Sequence, residues 1–287
     1  MIRLIAQGGL GNQLFIWNYA HELNLKHGMK VTIVFSRKID INRKIFLHDI
    51  ANYCSHNISI KYSRGFFWLL RNLDTAKSKW PRVVSYVFKQ FKIVTLESPE
   101  AVLSTFDFSS VTLRGYFQNS NSVIENYKSY SLELDSWLED SVTPSTKEIV
   151  NVSHNFNAVH IRRGDFENSK STTGILSFEY FTQLINPSLR TIVVTDDTLA
   201  IPKIKACFPA ALVLGPKEMA PPDAMYVLIN ANYLITSNST FSWWAAVIGA
   251  DKIENISMPK PWNLVQSNST SYLELPFVNF AQAVFDE

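Results

Sequence analysis

Cysteine is scarce in this chain of 287 residues, with only Cys54 and Cys207 present. They stand too far apart for a redox or zinc-ligand spacing, which excludes a disulfide framework and reads as two reduced, incidental thiols. No Asp-x-Asp pair of the kind that bridges a divalent ion to a diphosphate occurs, and no His/Cys cluster has zinc spacing, so no metal is expected. No apolar run approaches the ~20 residues that span a bilayer. A basic, apolar leader is missing as well: "MIRLIAQGG" already reads as a strand entering a glycine turn, and the expected location is cytoplasmic. The Asn-x-Ser/Thr triplets at Asn57, Asn151, Asn238, Asn255 and Asn268 then read as chance matches in an Asn- and Ser-rich sequence. The net charge is only +2, too little to make nucleic acid the main partner.

What is present is ample core material. A hydrophobic content of 46% with 13% aromatics supports one large or two medium domains. The first begins with a strand over residues 3–6, a glycine turn, and a helix over about 12–27. Ile16, Trp17, Ala20 and Leu23 give that helix an apolar face, and Gly28 is placed to end it. "KVTIVF" at 30–35 reads as the next parallel strand, while 40–136 reads as mixed helix and loop. A polar stretch over 138–157 marks the domain boundary, giving domains 1–150 and 151–287. Strands and helices then alternate: a strand at Val159, a helix over 178–185, "TIVVT", a helix from Leu199, "ALVLG", a helix from Pro222, "YLIT", and a helix from Ser239. Such alternation predicts a doubly wound parallel sheet, and two such halves predict an α/β protein of two Rossmann-like domains facing a cleft.

Three segments carry candidate chemistry. In "HIRRGDF" a buried strand runs into two arginines. Side chains alternate along a strand, so His160 and Arg162 share one face while Ile161 and Arg163 share the other. Arg162 is then the better anion ligand, unless both arginines simply pair with acidic neighbours such as Asp165. In "YLITSNSTFSWWAA" a strand ends in a run of hydroxyls before an apolar helix. Ser239 and Thr240 either cap that helix or, with its dipole and orphan N–H groups, bind an anion. Trp243 and Trp244 read as core. In "GGLGNQLF" the glycines, Gly11 among them, admit close approach of a ligand to backbone, although the full G-x-G-x-x-G spacing is missing. Asn12 either caps the helix or binds a sugar hydroxyl, with Gln13 beside it. Adjacent Asp196 and Asp197 after "TIVVT" read as a helix N-cap rather than a metal pair.

Taken in order, "GGLGNQLF", "VHIRRGDF" and "SNSTFSWWAA" resemble the α-1,2-fucosyltransferases of bacteria and animals, glycosyltransferase family 11. The resemblance implies a metal-independent, GT-B-like architecture without cofactor, with the donor GDP-fucose held by the second domain. It further implies inverting transfer of fucose to the 2-hydroxyl of a galactose in a surface glycan of the O-antigen type. By that pattern Arg162 contacts the diphosphate, His160 lies near the nucleoside, and Ser239 and Thr240 bind phosphate. Asn12, with Gly11 and Gln13, faces the transferred sugar or acceptor. Arg163 belongs to the same donor-side motif, and Asp223 is the acidic residue placed to pair with guanine. Asp165 is the only motif carboxylate available as general base. Residues 36–157 carry no string that matches.

Residues 61–92 stand apart in composition. Eight lysines and arginines face Asp74 alone, a local balance of +7, with Phe66, Phe67, Trp68, Trp80 and Phe91 interleaved. Such a mixture suits an anionic membrane surface, which would bring a cytoplasmic enzyme to a lipid-linked acceptor at the inner face of a bacterial membrane. Flotation with anionic liposomes is expected to show binding that weakens as salt rises, because surface attraction is screened over ~10 Å at 0.1 M. Absence of flotation at low salt would leave an ordinary solvated basic face.

Overall fold

A computed structural model describes residues 2–35, 44–54, 57–62, 93–95, 111–164, 170–264 and 271–286. The chain divides into two compact units, Met1–Trp137 and Leu138–Glu287. Each is built on an all-parallel sheet, as the α/β reading with two Rossmann-like halves expects.

The first unit opens with β1 (Ile2–Ile5), α1 (Leu10–His27) and β2 (Val31–Phe35). Gly28 ends α1 in the left-handed conformation at φ 63°, where its N–H reaches Asn24 O. Only glycine adopts that geometry without strain, which is why the helix stops there. Next come α2 (Leu47–Ile50), β3 (Ile58–Tyr62), β4 (Ile93–Thr95), β5 (Val111–Arg114), α3 (Ser120–Asn126) and α4 (Ser131–Ser141), whose last residues fall in the second unit. The sheet order is β3-β2-β1-β5-β4. Here the expectation of mixed helix and loop over 40–136 is corrected, since that stretch supplies three of the five strands. Short strands such as "IVT" carry too few residues for a period of two to register.

The second unit contains α5 (Pro144–Ser153), β6 (Phe156–Ile161), α6 (Lys170–Thr173), α7 (Phe178–Thr182), β7 (Arg190–Thr195), α8 (Ile201–Cys207) and β8 (Leu212–Leu214). It continues through α9 (Pro221–Ile229), β9 (Tyr233–Ile235), α10 (Thr240–Ile248), β10 (Asn255–Lys260) and β11 (Asn279–Gln282). The order β11-β10-β9-β6-β7-β8 puts β6 in the middle, and every residue of β6 is buried, Asn157 and His160 included, as a central parallel strand covered on both faces requires. Val159 and Ile161 pack with Phe178, Phe181, Val193 and Ile204. Trp243 and Trp244 are fully buried, the core role expected of them, and the Trp243 indole donates to Leu273 O at 2.7 Å. The strands β10 and β11 were not anticipated; "NISMPK" and "NFAQ" are polar enough to pass for loop.

Strand order fixes where a ligand can bind. In the second sheet the chain runs outward from β6 through β7 to β8, then returns to the other side through β9, β10 and β11. The order therefore reverses between β6 and β9, and a crevice opens beyond the carboxyl ends of those two strands. In the first sheet the equivalent reversal lies between β1 and β5. "GGLGNQ" follows β1, while "HIRRGD" and "SNST" follow β6 and β9, so all three candidate segments sit at switch points. The basic stretch over 61–92 lies outside the described residues beyond Tyr62.

Candidate functional site

His160 is the penultimate residue of β6 and is 3% exposed. Its Nδ1 lies 3.0 Å from Ser237 Oγ, at the end of β9, and its ring packs 5.3 Å from that of Phe241 in α10. Burial first, and the neighbouring Arg162 charge second, push its pKa down to about 3. The imidazole is therefore neutral at physiological pH, a fixed polar strut between the two switch-point strands.

Arg162 and Arg163 diverge as strand parity dictates. The Arg163 guanidinium lies 4.9 Å from the Phe178 ring, on the core face of Ile161, and pairs with Asp286. Arg162 pairs instead with Asp196 at 2.7 Å and remains 24% exposed. Asp196 does not play the helix N-cap role that the sequence predicts: its carboxylate turns back onto the loop after β6, and Ala200 is the N-cap of α8. One oxygen accepts from the Arg163 and Gly164 amides at 3.0 and 3.3 Å, while the other holds Arg162. The register explains it: Ile161 pairs with Thr195 across β6 and β7, so the next residues, Arg162 and Asp196, emerge side by side. That pairing was the signal the sequence offered, but only once β6 and β7 are known to be neighbours. A side chain at Gly164 would meet Asp196 Oδ2 at 2.6 Å, so glycine keeps the loop closed on the carboxylate. Asp197 caps its own turn, accepting from Leu199 N at 2.8 Å. Asp165 lies outside the described residues.

The run after β9 is largely occupied in holding itself together. Asn238 donates to the Thr173 and Gly174 carbonyls, both at 3.2 Å, and Ser242 to the carbonyls of Ser237 and Ser239. Ser239 is the N-cap of α10, accepting from Phe241 N at 3.3 Å, and Thr240 is the first helical residue, half-buried. The N-terminal amides of α10, with the positive end of its dipole, thus stand beyond β9, next in the sheet to the strand that carries Arg162. Asp223 is 3% exposed and accepts from Thr143 N and Oγ1 at 2.9 and 2.8 Å, fastening α9 to the start of α5.

In the first unit Gln13 is 2% exposed. Its amide donates to Gly8 O and Lys44 O and accepts from Phe46 N at 2.9 Å, which ties the glycine turn to the segment before α2. Asn12 accepts from Gln118 Nε2 at 3.1 Å across the β1 and β5 switch point and is half-buried, and Gly11 is buried within α1. At Gly8, with φ 83°, a side chain would meet Asn12 at 2.6 Å.

The depressed His160 pKa has a measurable sign. The unfolded chain takes up a proton near pH 6.5, whereas the folded one does not until about 3, so stability is fully present above pH 6.5 and falls as pH drops through that window. Chemical denaturation at pH 7 and pH 4.5 is expected to show wild type losing more stability than His160→Asn. An equal loss in both proteins would mean that His160 titrates normally.

Residues 104–269 match the model of glycosyl transferase family 11. The O-antigen biosynthesis glycosyltransferase WbnK of Escherichia coli is 22% identical over 283 residues, covering 89% of this chain and 92% of that protein. The crystal structure of fucosyltransferase NodZ from Bradyrhizobium, in its selenomethionine form, is similar in fold at a TM-score of 0.50 and 12% identity, with 89% of this chain and 93% of that chain covered. The NodZ α-1,6-fucosyltransferase co-crystallized with GDP gives the same values. With more than half of its length matched, and with the arginine clamp and the "SNST" helix start inside the matched segment, this chain belongs to glycosyl transferase family 11.

Proposed function

We propose that this glycosyltransferase is an inverting galactoside α-1,2-fucosyltransferase, moving L-fucose from GDP-β-L-fucose to the 2-hydroxyl of a galactose in a bacterial surface glycan. The observation that carries the reading is the Asp196 clamp: it fixes Arg162, still partly exposed, at the switch point of the second sheet, beside the strand that leads into α10. As fucose leaves, negative charge builds on the diphosphate and the anomeric carbon turns cationic. A preoriented guanidinium and a helix N-terminus stabilise that charge with no reorganisation at the moment of reaction, an effect worth ~10²–10³ in rate for one donor. Neutral His160 faces the nucleoside without adding charge, Asp223 meets the guanine edge, and Ser239 and Thr240 receive phosphate. Asp165 takes the proton from the acceptor hydroxyl, and Asn12 orients sugar. The motif likeness to α-1,2-fucosyltransferases, the O-antigen role of WbnK and the GDP bound by NodZ all support this choice of donor and glycan class.

Purified protein incubated with GDP-fucose and a panel of β-galactosides is expected to yield an α-1,2 linkage by NMR. A different linkage would leave the donor and overturn the acceptor position; turnover of another GDP-sugar alone would overturn the donor. Arg162→Lys keeps the charge but loses the planar fork that grips two phosphate oxygens. Its kcat/KM is expected to fall ~10²-fold or more while Arg163→Lys loses less, both checked by thermal melts for folding. A near-normal Arg162→Lys beside an inactive, folded Arg163→Lys would reverse the two roles.

Because the diphosphate charge is met by Arg162 and α10, activity is expected to survive excess EDTA. A complete loss restored by Mg²⁺ or Mn²⁺ would overturn that leaving-group chemistry.

A further inference from the structure

The first unit gathers three metal-binding side chains from distant parts of the chain. His21 projects from α1, Cys54 follows the short turn Ala51–Tyr53, and Glu133 lies in the first turn of α4. One donor atom from each lies within 4.8 Å of the other two. The His21 side chain is fully buried and that of Glu133 is 11% exposed, with Nε2 and Oε2 3.5 Å apart. Cys54 is half-buried. The His21 ring is wedged between Trp17 at 5.0 Å and Tyr130 at 4.7 Å, so its orientation is set by packing. The Tyr130 hydroxyl donates to Asn18 Oδ1 at 2.8 Å and burial keeps that phenol protonated, so it adds no competing anion.

We propose that His21, Cys54 and Glu133 form a zinc-class metal site that ties α1, the turn before β3 and α4 into one body.

Donor chemistry selects the ion. A thiolate is poorly suited to Mg²⁺ or Ca²⁺, which take oxygen ligands, whereas thiolate, imidazole and carboxylate together suit Zn²⁺. Charge agrees: one thiolate and one carboxylate cancel a divalent cation and the imidazole stays neutral, so the loaded cluster buries no net charge. Bond lengths of about 2.0–2.3 Å around a tetrahedral ion set the donors roughly 3.3–3.6 Å apart, a closure that small side-chain rotations can supply. A water molecule would complete a four-coordinate site. The site is built on side chains of which His21 is fully buried among Trp17 and Tyr130, so its role is to hold structure. It stands independently of the fucosyl reading.

The test uses the full-length protein, stripped with EDTA under reducing conditions and then dialysed. Elemental analysis after zinc titration is expected to give one ion per chain, with a raised thermal midpoint. Cobalt should give the near-ultraviolet band of sulfur-to-metal charge transfer, absent from Cys54→Ser, and Cys54→Ser should weaken zinc binding at least ~10–100-fold. Glu133→Gln, altered at a partly exposed side chain, should weaken zinc binding yet keep the sulfur band. Peptide mapping should show zinc protecting Cys54 from alkylation. A folded wild type that takes up no zinc at stoichiometric metal overturns the proposal, as does cobalt binding without the sulfur band. Rapid alkylation of Cys54 regardless of zinc also overturns it and marks a reactive thiol beside His21 instead.

Discussion

The carboxylate of Asp196 receives two backbone amides and one guanidinium from the loop after β6, and the geometry of that strand end depends on the convergence. The two amides, orphaned where β6 ends, are satisfied by one oxygen; the Arg162 charge is met by the other. Charge-assisted bonds of this kind are worth about 1.5–3 kcal/mol each when buried, and less here because Asp196 is 23% exposed and partly screened. Their larger effect is positional. A long, flexible arginine at a strand end has many rotamers, and pairing to a neighbouring strand removes most of them before any ligand arrives. Gly164 is part of the same device, since any larger residue would push the carboxylate off the loop.

In both units, polar residues within or near the motifs spend much of their bonding capacity on the protein. Gln13, Asn12 and Asp223 each tie the start of a helix to a segment remote in sequence. This is what a buried loop requires: backbone amides and carbonyls beyond the strand ends have no ladder partner, and side-chain amides and carboxylates supply one. The three motifs lie at the ends of β1, β6 and β9. Among the groups that stay partly exposed there are Arg162 and Thr240, the first residue of α10.

His160 shows the same economy in electrostatic form. Next to a guanidinium and out of water, a protonated imidazole would be costly, so the ring stays neutral and exchanges a hydrogen bond with Ser237. It joins the end of β6 to the loop after its neighbour β9, without adding a second positive charge beside Arg162.

The sequence by itself determined what depends on local order. Alternation placed His160 and Arg162 opposite Ile161 and Arg163; the left-handed turn at Gly28 ended α1; the run of strands and helices after β6 implied a parallel sheet; and three short strings marked the loops. Each of these follows from residues within one turn or one strand of each other. Only the tertiary structure decided which strands are neighbours, and every relation that hangs on neighbours followed from it. Asp196 meets Arg162 because β6 and β7 pair with Ile161 opposite Thr195, and Asp286 reaches Arg163 from the far end of the chain. The cluster of His21, Cys54 and Glu133 has no sequence spacing at all, since a helix, a turn and a second helix bring it together through packing. The strands β4 and β5 are not legible for a related reason: three or four residues are too few to display an alternation, and pairing partners supply the stability that so short a run lacks on its own.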